Sequence, residues 1–182
     1  LRIGVTPNMV TLLGWLGHVA AAVLAATGHF FWAGLVILIL APMDALDGAM
    51  ARQRGITSQF GAFFDSVLDR YSEMFLYGGI LVYYASHGEM PGSILTFFAM
   101  MGSLMVSYTR ARAEGLGFTA KIGLLSRVER YIILIPSLLF GIILIGMGIL
   151  AIFTNITAIQ RILTVYRQAS QAVSAENSLK GK

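Results

Sequence analysis

Long apolar runs alternate with short polar or glycine-rich breaks along most of the chain. The runs cover about residues 8–26, 30–50, 58–86, 92–108, 127–144 and 149–164. A helix needs about 20 mainly apolar residues to cross the hydrocarbon core of a bilayer, and most of these runs approach or exceed that length. The pattern therefore predicts an all-α fold: an integral membrane bundle of six transmembrane helices in residues 1–170, with a polar C-terminal tail at 171–182.

The breaks carry residues that end or start helices. The glycines that mark them are Gly28, Gly88, Gly92, Gly115, Gly117, Gly146 and Gly148. Gly146 and Gly148 predict a very short turn between the fifth and sixth helices. Ser126 and Glu129 have the spacing of a capping box, which predicts that the fifth helix begins beside them. Residues 168–182 are polar, and we expect them to be solvated or disordered.

Charge predicts the orientation of this bundle. The chain is 57% hydrophobic and only 12% charged, with 13 Lys and Arg residues and no Cys. The breaks near 27–31, 86–92 and 145–149 contain no Lys or Arg, so the basic residues lie at the other membrane boundary. By the positive-inside rule this side is cytoplasmic and holds both termini, most simply in a prokaryotic cell (inner) membrane. We expect no disulfide, no thiol chemistry and no nucleic-acid partner.

Four carboxylates lie close together between the second and third apolar runs. Asp44 and Asp47 are three residues apart, and Asp65 and Asp69 are four apart, so each pair shares one helix face. The turn-forming stretch 53–58 lets the two helices run antiparallel and brings the pairs together. An ionised Asp at the bilayer centre costs roughly 3 kcal/mol on the most lenient scale. Four such charges therefore need a partner that neutralises them.

Divalent metal ions are one such partner. The ligands are all hard oxygens, with no Cys in the chain and no His in this stretch, which favours Mg²⁺ or Mn²⁺. Four carboxylates balance about two divalent ions, and this suggests a two-metal site that acts on a phosphate. Arg52 suits a phosphate or a carboxylate fork. In the alternative interpretation, Arg52, Arg54 and Arg70 form structural ion pairs with the aspartates.

A second polar set flanks the connector between the fourth and fifth runs. Its arginines are Arg110, Arg112, Arg127 and Arg130. They predict either a pocket for a dianionic, phosphate-bearing co-substrate or simple anchoring to anionic lipid heads. Glu114 and Glu129 are candidates to orient these arginines or to bond to hydroxyl groups. Glu73, one turn beyond Asp69, is expected to bond within the bundle or to bind metal, and His18 is expected to be packed or interfacial.

The carboxylates belong to a motif of fixed spacing, D-x2-D-G-x2-A-R-x8-G-x3-D-x3-D. Its fixed positions are Asp44, Asp47, Gly48, Ala51, Arg52, Gly61, Asp65 and Asp69. This motif resembles the signature of the CDP-alcohol phosphotransferases, which are integral membrane enzymes of phospholipid synthesis. The resemblance extends from Thr6-Pro7-Asn8 to Gln160-Arg161 and so covers nearly the whole chain.

The resemblance implies roles for particular residues. The metal ligands for two Mg²⁺ (or Mn²⁺) ions would be Asp44, Asp47, Asp65 and Asp69. Asp69 would also be the general base. The CDP-lipid would lie against Asn8, Thr11, Gly48, Arg52 and Ser58. The donor would be CDP-diacylglycerol or CDP-archaeol, drawn from the surrounding membrane lipid, with CMP as the leaving group. The active site would face the cytoplasm, and the enzyme would be a homodimer.

Within this family, the chain is most similar to the phosphatidylinositol-phosphate and archaetidylinositol-phosphate synthases. These carry a basic-A-R-A-E segment, matched by Arg110 and Arg112, and a later R-x-x-R, matched by Arg127 and Arg130. In that subgroup these positions hold the phosphate of inositol phosphate. The chain differs at Val128, where Pro is common, and in residues 120–122, where some members have a Gly/Asp-rich loop.

Those differences leave the acceptor open. The same reaction on glycerol phosphate, or on a neutral alcohol such as serine or choline, is one alternative, although a neutral acceptor would not need the arginine set. A divalent-cation transporter that uses the carboxylates as a transit site is another. The transporter is disfavoured because a transit path should have polar residues in the non-cytoplasmic half, where the predicted spans are almost wholly apolar.

Overall fold

The computed structural model describes residues 7–40 and 59–180. Within these ranges the chain is all-helical and has no strand. Its helices are α1 (Pro7–Ala26), α2 (Phe30–Leu40), α3 (Gln59–Ser86), α4 (Met90–Gly115), α5 (Arg127–Leu139) and α6 (Ile143–Lys180). The predicted fold class, an all-α helical assembly, is therefore confirmed for the part of the chain that is described.

Helix packing forms one continuous core. α1 packs along α3, α3 packs on α4, α4 runs along α6, and α5 lies on α6. The largest fully buried apolar side chains are Tyr77, Ile37, Leu76, Ile80, Leu134, Leu138, Met147 and Leu150. These positions recur every three or four residues within α3 and α5, so each of these helices buries one face against its neighbours.

The outward faces of the helices are also apolar. Leu13, Phe63, Ile132 and Ile152 are each more than half exposed, and similar side chains cover much of the remaining surface. Contiguous apolar surface of this kind is unusual in water, whereas in a bilayer the same side chains meet hydrocarbon.

Two of the described helices are long and apolar enough to cross a membrane: α4, and the part of α6 that runs from Ile143 to Ala172. The segments Thr11–Ala26 and Phe30–Leu40 are apolar but shorter. α3 has 28 residues, about 42 Å at the helical rise, but its first half carries the charged side chains Asp65, Asp69 and Arg70.

The predicted boundary between the fifth and sixth helices was wrong. α5 ends at Leu139 and α6 begins at Ile143, so the chain reverses around Gly141, whose φ is +70°. Gly146 lies inside α6, where a Cβ atom would collide with the side chain of Ser137 on α5. This glycine therefore permits close packing of two helices, a role that sequence spacing does not distinguish from a turn.

The C-terminal segment also differs from expectation. Residues 168–180 continue α6 as helix instead of forming a disordered tail, although residues 170–172 and 174 are exposed. The stretch is rich in Ala, Gln and Ser and has neither Gly nor Pro before Gly181, so its backbone has no intrinsic stop signal. The expected solvation is found at these four residues, whereas the alternative expectation of disorder is not borne out for residues 168–180.

The adjacent glycines of α3 provide a test of this packing. A Cβ atom on Gly79 would strike the backbone of Ala22 on α1, whereas a Cβ atom on Gly78 would meet no atom within 4 Å. We expect Gly79→Ala to destabilise the protein by roughly 1–3 kcal/mol, because backbone cannot move aside as a side chain can.

Gly78→Ala is the matched control and should be neutral or slightly stabilising, since alanine favours helix more than glycine does. Unfolding of both variants in the same detergent measures the difference. Equal midpoints would contradict the described approach of α1 to α3.

Candidate active site

A stripe of acidic side chains runs along one face of α3. Asp65, Asp69 and Glu73 follow each other at intervals of four residues, so they lie on successive turns. Asp65 is exposed, the Asp69 side chain is 15% exposed, and Glu73 is buried. The stripe therefore leads from the accessible start of α3 into the interior of the bundle.

Asp69 is bound by an arginine of α5. The guanidinium of Arg127 donates through Nη1 to Oδ2 and through Nη2 to Oδ1, the second bond at 2.7 Å. Arg70 lies further away, with its Nη1 at 3.9 Å from Oδ2. A planar guanidinium matches the geometry of a carboxylate, so this two-bond fork fixes the orientation of the Asp69 side chain.

A second fork lies one turn deeper. Arg130 donates through Nε to one oxygen of Glu73 at 2.6 Å and through Nη2 to the other at 3.0 Å. The side chains are only 2% and 7% exposed, so both charges are removed from solvent. Ser103 of α4 donates to the same carboxylate at 3.2 Å. Buried charges of this kind are tolerated only when they are paired and hydrogen-bonded, and both conditions are met here.

The network continues to neighbouring helices. The hydroxyl of Tyr77 lies 3.2 Å from that of Ser103, which links α3 to α4. On the other side, the ring of Tyr131 lies 5.9 Å from the guanidinium carbon of Arg127. Its hydroxyl is 3.3 Å from Nε2 of His18. His18 is buried and its Nδ1 lies 2.9 Å from the Gly14 carbonyl, which confirms its expected packed position.

The start of α5 combines two expected residues in an unexpected way. Ser126 is the N-cap residue, but its side chain makes no capping bond to the backbone. Its hydroxyl donates instead to the carboxylate of Glu129. The capping position is thus confirmed, while the bond between the Ser126 side chain and the backbone that a complete capping box needs does not form. Glu129 bonds Ser126, and the residue that orients Arg130 is Glu73.

The two remaining arginines lie at the end of α4. Arg110 donates to Glu114 at 3.0 Å, and both side chains are nearly half exposed, so Glu114 orients this arginine as expected. Arg112 is exposed in the last turn of α4. α4 ends at Gly115. Gly117 then has a φ of +81°, a left-handed conformation that glycine adopts without a steric penalty.

α6 holds the connector that joins these two arginine pairs. The buried amide of Leu125 donates to the hydroxyl of Thr157 at 3.1 Å, and Arg161 donates to the Ile122 carbonyl at 2.8 Å. The side chain of Gln168 accepts from the amide of Thr119 at 3.1 Å and donates to its carbonyl at 2.7 Å. Sequence reasoning missed this clamp; its only visible signal was Arg161, a charge inside an apolar run.

Several predicted site residues cannot be compared in this way. Asp44, Asp47, Gly48, Arg52 and Ser58 lie outside the described residues. Asn8 lies in the first turn of α1 with its side chain outside the described part, and Thr11 is half-buried one turn later.

The described residues thus contain two of the four expected metal ligands, and they include no group of three or more His, Asp or Glu that could hold one ion. The two ligands that are described, Asp65 and Asp69, are carboxylates one turn apart, a donor type that suits Mg²⁺ or Mn²⁺.

Comparison with known proteins identifies the class of molecule to which this site belongs. The family model for CDP-alcohol phosphatidyltransferase matches residues 4–166. The chain belongs to the CDP-alcohol phosphatidyltransferase family, which confirms the resemblance seen in the motif. It is therefore an enzyme of phospholipid synthesis, a transferase, and the cation-transporter alternative is not supported.

Two relatives with known names belong to the inositol-phosphate synthases of this family. The chain is 37% identical to a phosphatidylinositol phosphate synthase of Streptomyces avermitilis, over all of this chain and 82% of that protein. It is 40% identical to an archaetidylinositol phosphate synthase of Pyrococcus horikoshii, over 88% of this chain and 83% of that protein.

Solved structures of one such enzyme are similar to this chain in both sequence and fold. The crystal structure of phosphatidylinositol phosphate synthase from Mycobacterium tuberculosis with CDP-DAG bound is 36% identical and has a TM-score of 0.81. The match covers 91% of this chain and 88% of that one. The same enzyme in complex with manganese and citrate gives a TM-score of 0.82, again over 91% of this chain and over 84% of that one.

Proposed function

We propose that this enzyme transfers a phosphatidyl or archaetidyl group from a CDP-linked lipid to a hydroxyl group of inositol phosphate and releases CMP. The observation that carries this proposal is the approach of Arg127 and Arg130 to the acidic stripe of α3. Cations that bind phosphate thus lie beside the carboxylates proposed to bind metal. Relatives named as phosphatidylinositol phosphate and archaetidylinositol phosphate synthases support the same acceptor.

Two divalent ions would be held by four carboxylates, Asp44, Asp47, Asp65 and Asp69. When bound, Mg²⁺ or Mn²⁺ would offset the charge of the donor diphosphate and of the leaving CMP. The similar enzyme crystallised with manganese supports a divalent metal in this family. The all-carboxylate donor set is the support that comes from this chain itself.

The acceptor phosphate would bind to the basic set formed by Arg110, Arg112, Arg127 and Arg130. Of the two that contact the acidic stripe, Arg127 has the clearer route to a ligand, because its side chain is 38% exposed whereas that of Arg130 is 2% exposed. A phosphate dianion competes with Asp69 for the same guanidinium. Acceptor binding would therefore draw Arg127 away from Asp69 and free a carboxylate oxygen for catalysis.

The freed carboxylate would act as the general base. Asp69 takes the proton of the acceptor hydroxyl while that oxygen attacks the lipid-side phosphorus. The bond between this phosphorus and the CMP oxygen breaks, and CMP leaves with the electron pair. The new ester links the lipid phosphate to the acceptor, and the acceptor proton remains on Asp69.

The donor would enter from the membrane. Its cytidine end would lie against Asn8, Thr11, Gly48, Arg52 and Ser58, while its tails stay among the helices. Two mainly apolar clefts border α3 and suit such tails. One, of about 440 Å³, lies between α3 and α4; the other, of about 570 Å³, lies between α1 and α3.

The enzyme would span the cell (inner) membrane six times, with its active site and both termini in the cytoplasm, and would form a homodimer. Charge supports this orientation. The turns at residues 27–29, 87–89 and 140–142 contain no Lys or Arg, while the connector at the other end of α4 and α5 lies among Arg112, Lys121 and Arg127.

An acceptor assay tests the proposed reaction. Purified enzyme with CDP-diacylglycerol and Mg²⁺ is given inositol phosphate, glycerol phosphate or serine, and CMP release is measured. We expect release with inositol phosphate to be at least about tenfold faster than with the other two, because serine has no phosphate and glycerol phosphate has fewer hydroxyl groups than the inositol ring. Reactions without acceptor are the control, and equal or faster release with glycerol phosphate would contradict the proposed acceptor.

The general base can be tested by a change that preserves shape. Asp69→Asn should lower CMP release by roughly 10²–10⁴-fold, because an amide cannot take the acceptor proton. Electron paramagnetic resonance of Mn²⁺ should still detect bound metal, although more weakly. Glu89→Gln, at an exposed carboxylate in the α3–α4 turn, is the control. Full activity of the Asp69 variant would reject this residue as the base.

The orientation can be tested with single cysteines, since the chain has none of its own. His87 lies in the exposed α3–α4 turn and Lys121 in the exposed connector. We expect a membrane-impermeant maleimide to label His87→Cys in intact cells and Lys121→Cys only after the cells are opened, because the basic connector should be cytoplasmic. The reverse labelling pattern would overturn the proposed orientation.

A further inference from the structure

The forks between α3 and α5 bridge a gap between the two helices. No Cα atom of α3 lies within 8 Å of a Cα atom of α5, so the backbones do not touch. Long side chains make the connection instead, through Arg127 to Asp69 and through Arg130 to Glu73. The position of α5 relative to the acidic stripe therefore depends on side-chain bonds as well as on its packing against α6.

The deeper fork engages two of the three guanidinium nitrogens of Arg130. Glu73 takes the Nε and Nη2 hydrogens of the guanidinium, and Nη1 is outside this fork. Because the guanidinium is planar and rigid, fixing two nitrogens also fixes the direction of the third. The Ser103 hydroxyl, itself 3.2 Å from Tyr77, bonds the Glu73 carboxylate from α4 and limits its rotation.

We infer that Glu73 is a positioning residue for the acceptor phosphate. It does not touch the substrate; it aims Nη1 of Arg130 and helps to hold α5 where Arg127 reaches Asp69, the middle carboxylate of the stripe. The inference rests on the proposed function, since it assumes that these arginines bind a phosphate. Glu73 thereby differs in role from Asp65 and Asp69, the carboxylates proposed to bind metal or to act as the base.

A positioning role and a simple charge effect predict opposite changes in phosphate affinity when Glu73 is neutralised. Removal of a negative charge near a set of arginines makes the site more positive, so electrostatics alone would tighten phosphate binding in Glu73→Gln. Positioning predicts the opposite, because an amide has only one acceptor oxygen and cannot hold both nitrogens of Arg130. Weaker phosphate binding by this variant therefore separates positioning from a simple charge effect.

The experiment uses inorganic phosphate as the probe. The thermal midpoint of the detergent-purified enzyme is measured against phosphate concentration for wild type and Glu73→Gln. We expect the variant to need about tenfold more phosphate for the half-maximal rise. The half-maximal concentration of CMP, measured the same way with Mg²⁺, should stay within about twofold, because the proposed nucleotide contacts lie on other residues.

Two further variants keep the inference falsifiable. Ser103→Ala removes one bond to Glu73 and leaves both charges, so it should weaken phosphate binding by about threefold even if Glu73→Gln does not fold. Thr96→Val is the control, because Thr96 is equally buried in α4 but its hydroxyl bonds the Gly92 carbonyl of its own helix. Its phosphate response should match wild type.

The outcomes separate this inference from the proposed acceptor. Phosphate binding that weakens in Glu73→Gln, in an enzyme that prefers glycerol phosphate, would keep the positioning role and reject inositol phosphate. Unchanged or tighter phosphate binding in the variants that fold would overturn the inference. A wild-type enzyme whose midpoint does not respond to phosphate would overturn it too. Phosphate and CMP responses that weaken equally would show a structural role only.

Discussion

The structure depends on the pairing of carboxylates with guanidinium groups inside a largely apolar bundle. An ionised side chain that loses water in such surroundings must find a partner, and the two forks between α3 and α5 satisfy this need for four charges at once. The energy gained is modest because desolvation offsets most of the attraction. The geometric consequence is larger, since each fork limits how its two helices can be placed relative to each other.

The forks also connect the two halves of the proposed chemistry. The acidic stripe belongs to α3, whereas the arginines follow about 57 residues later on α5. The connector before α5 is in turn held by Thr157, Arg161 and Gln168 of α6. Binding of a phosphate at Arg127 would therefore directly weaken the bonds between Arg127 and Asp69.

Small residues illustrate why local sequence reasoning went wrong in some places. A glycine can reverse the chain, as Gly141 does, or admit a neighbouring helix, as Gly146 does. Both appear in the sequence as glycines between apolar stretches. The choice between the two roles depends on the position of Ser137, which is known only after α5 and α6 have packed.

The sequence by itself determined the family, the helical class and the chemical type of the site. Motif spacing and helical periodicity are local properties, so they correctly placed Asp65, Asp69 and Glu73 on one face of α3. Only the tertiary structure decided the partners of those residues. The pairing of Glu73 with Arg130, the bond between Ser126 and Glu129 and the clamp by α6 depend on how helices far apart in sequence pack. Since a charged side chain can reach several partners, its choice follows from that packing and cannot be read from spacing alone.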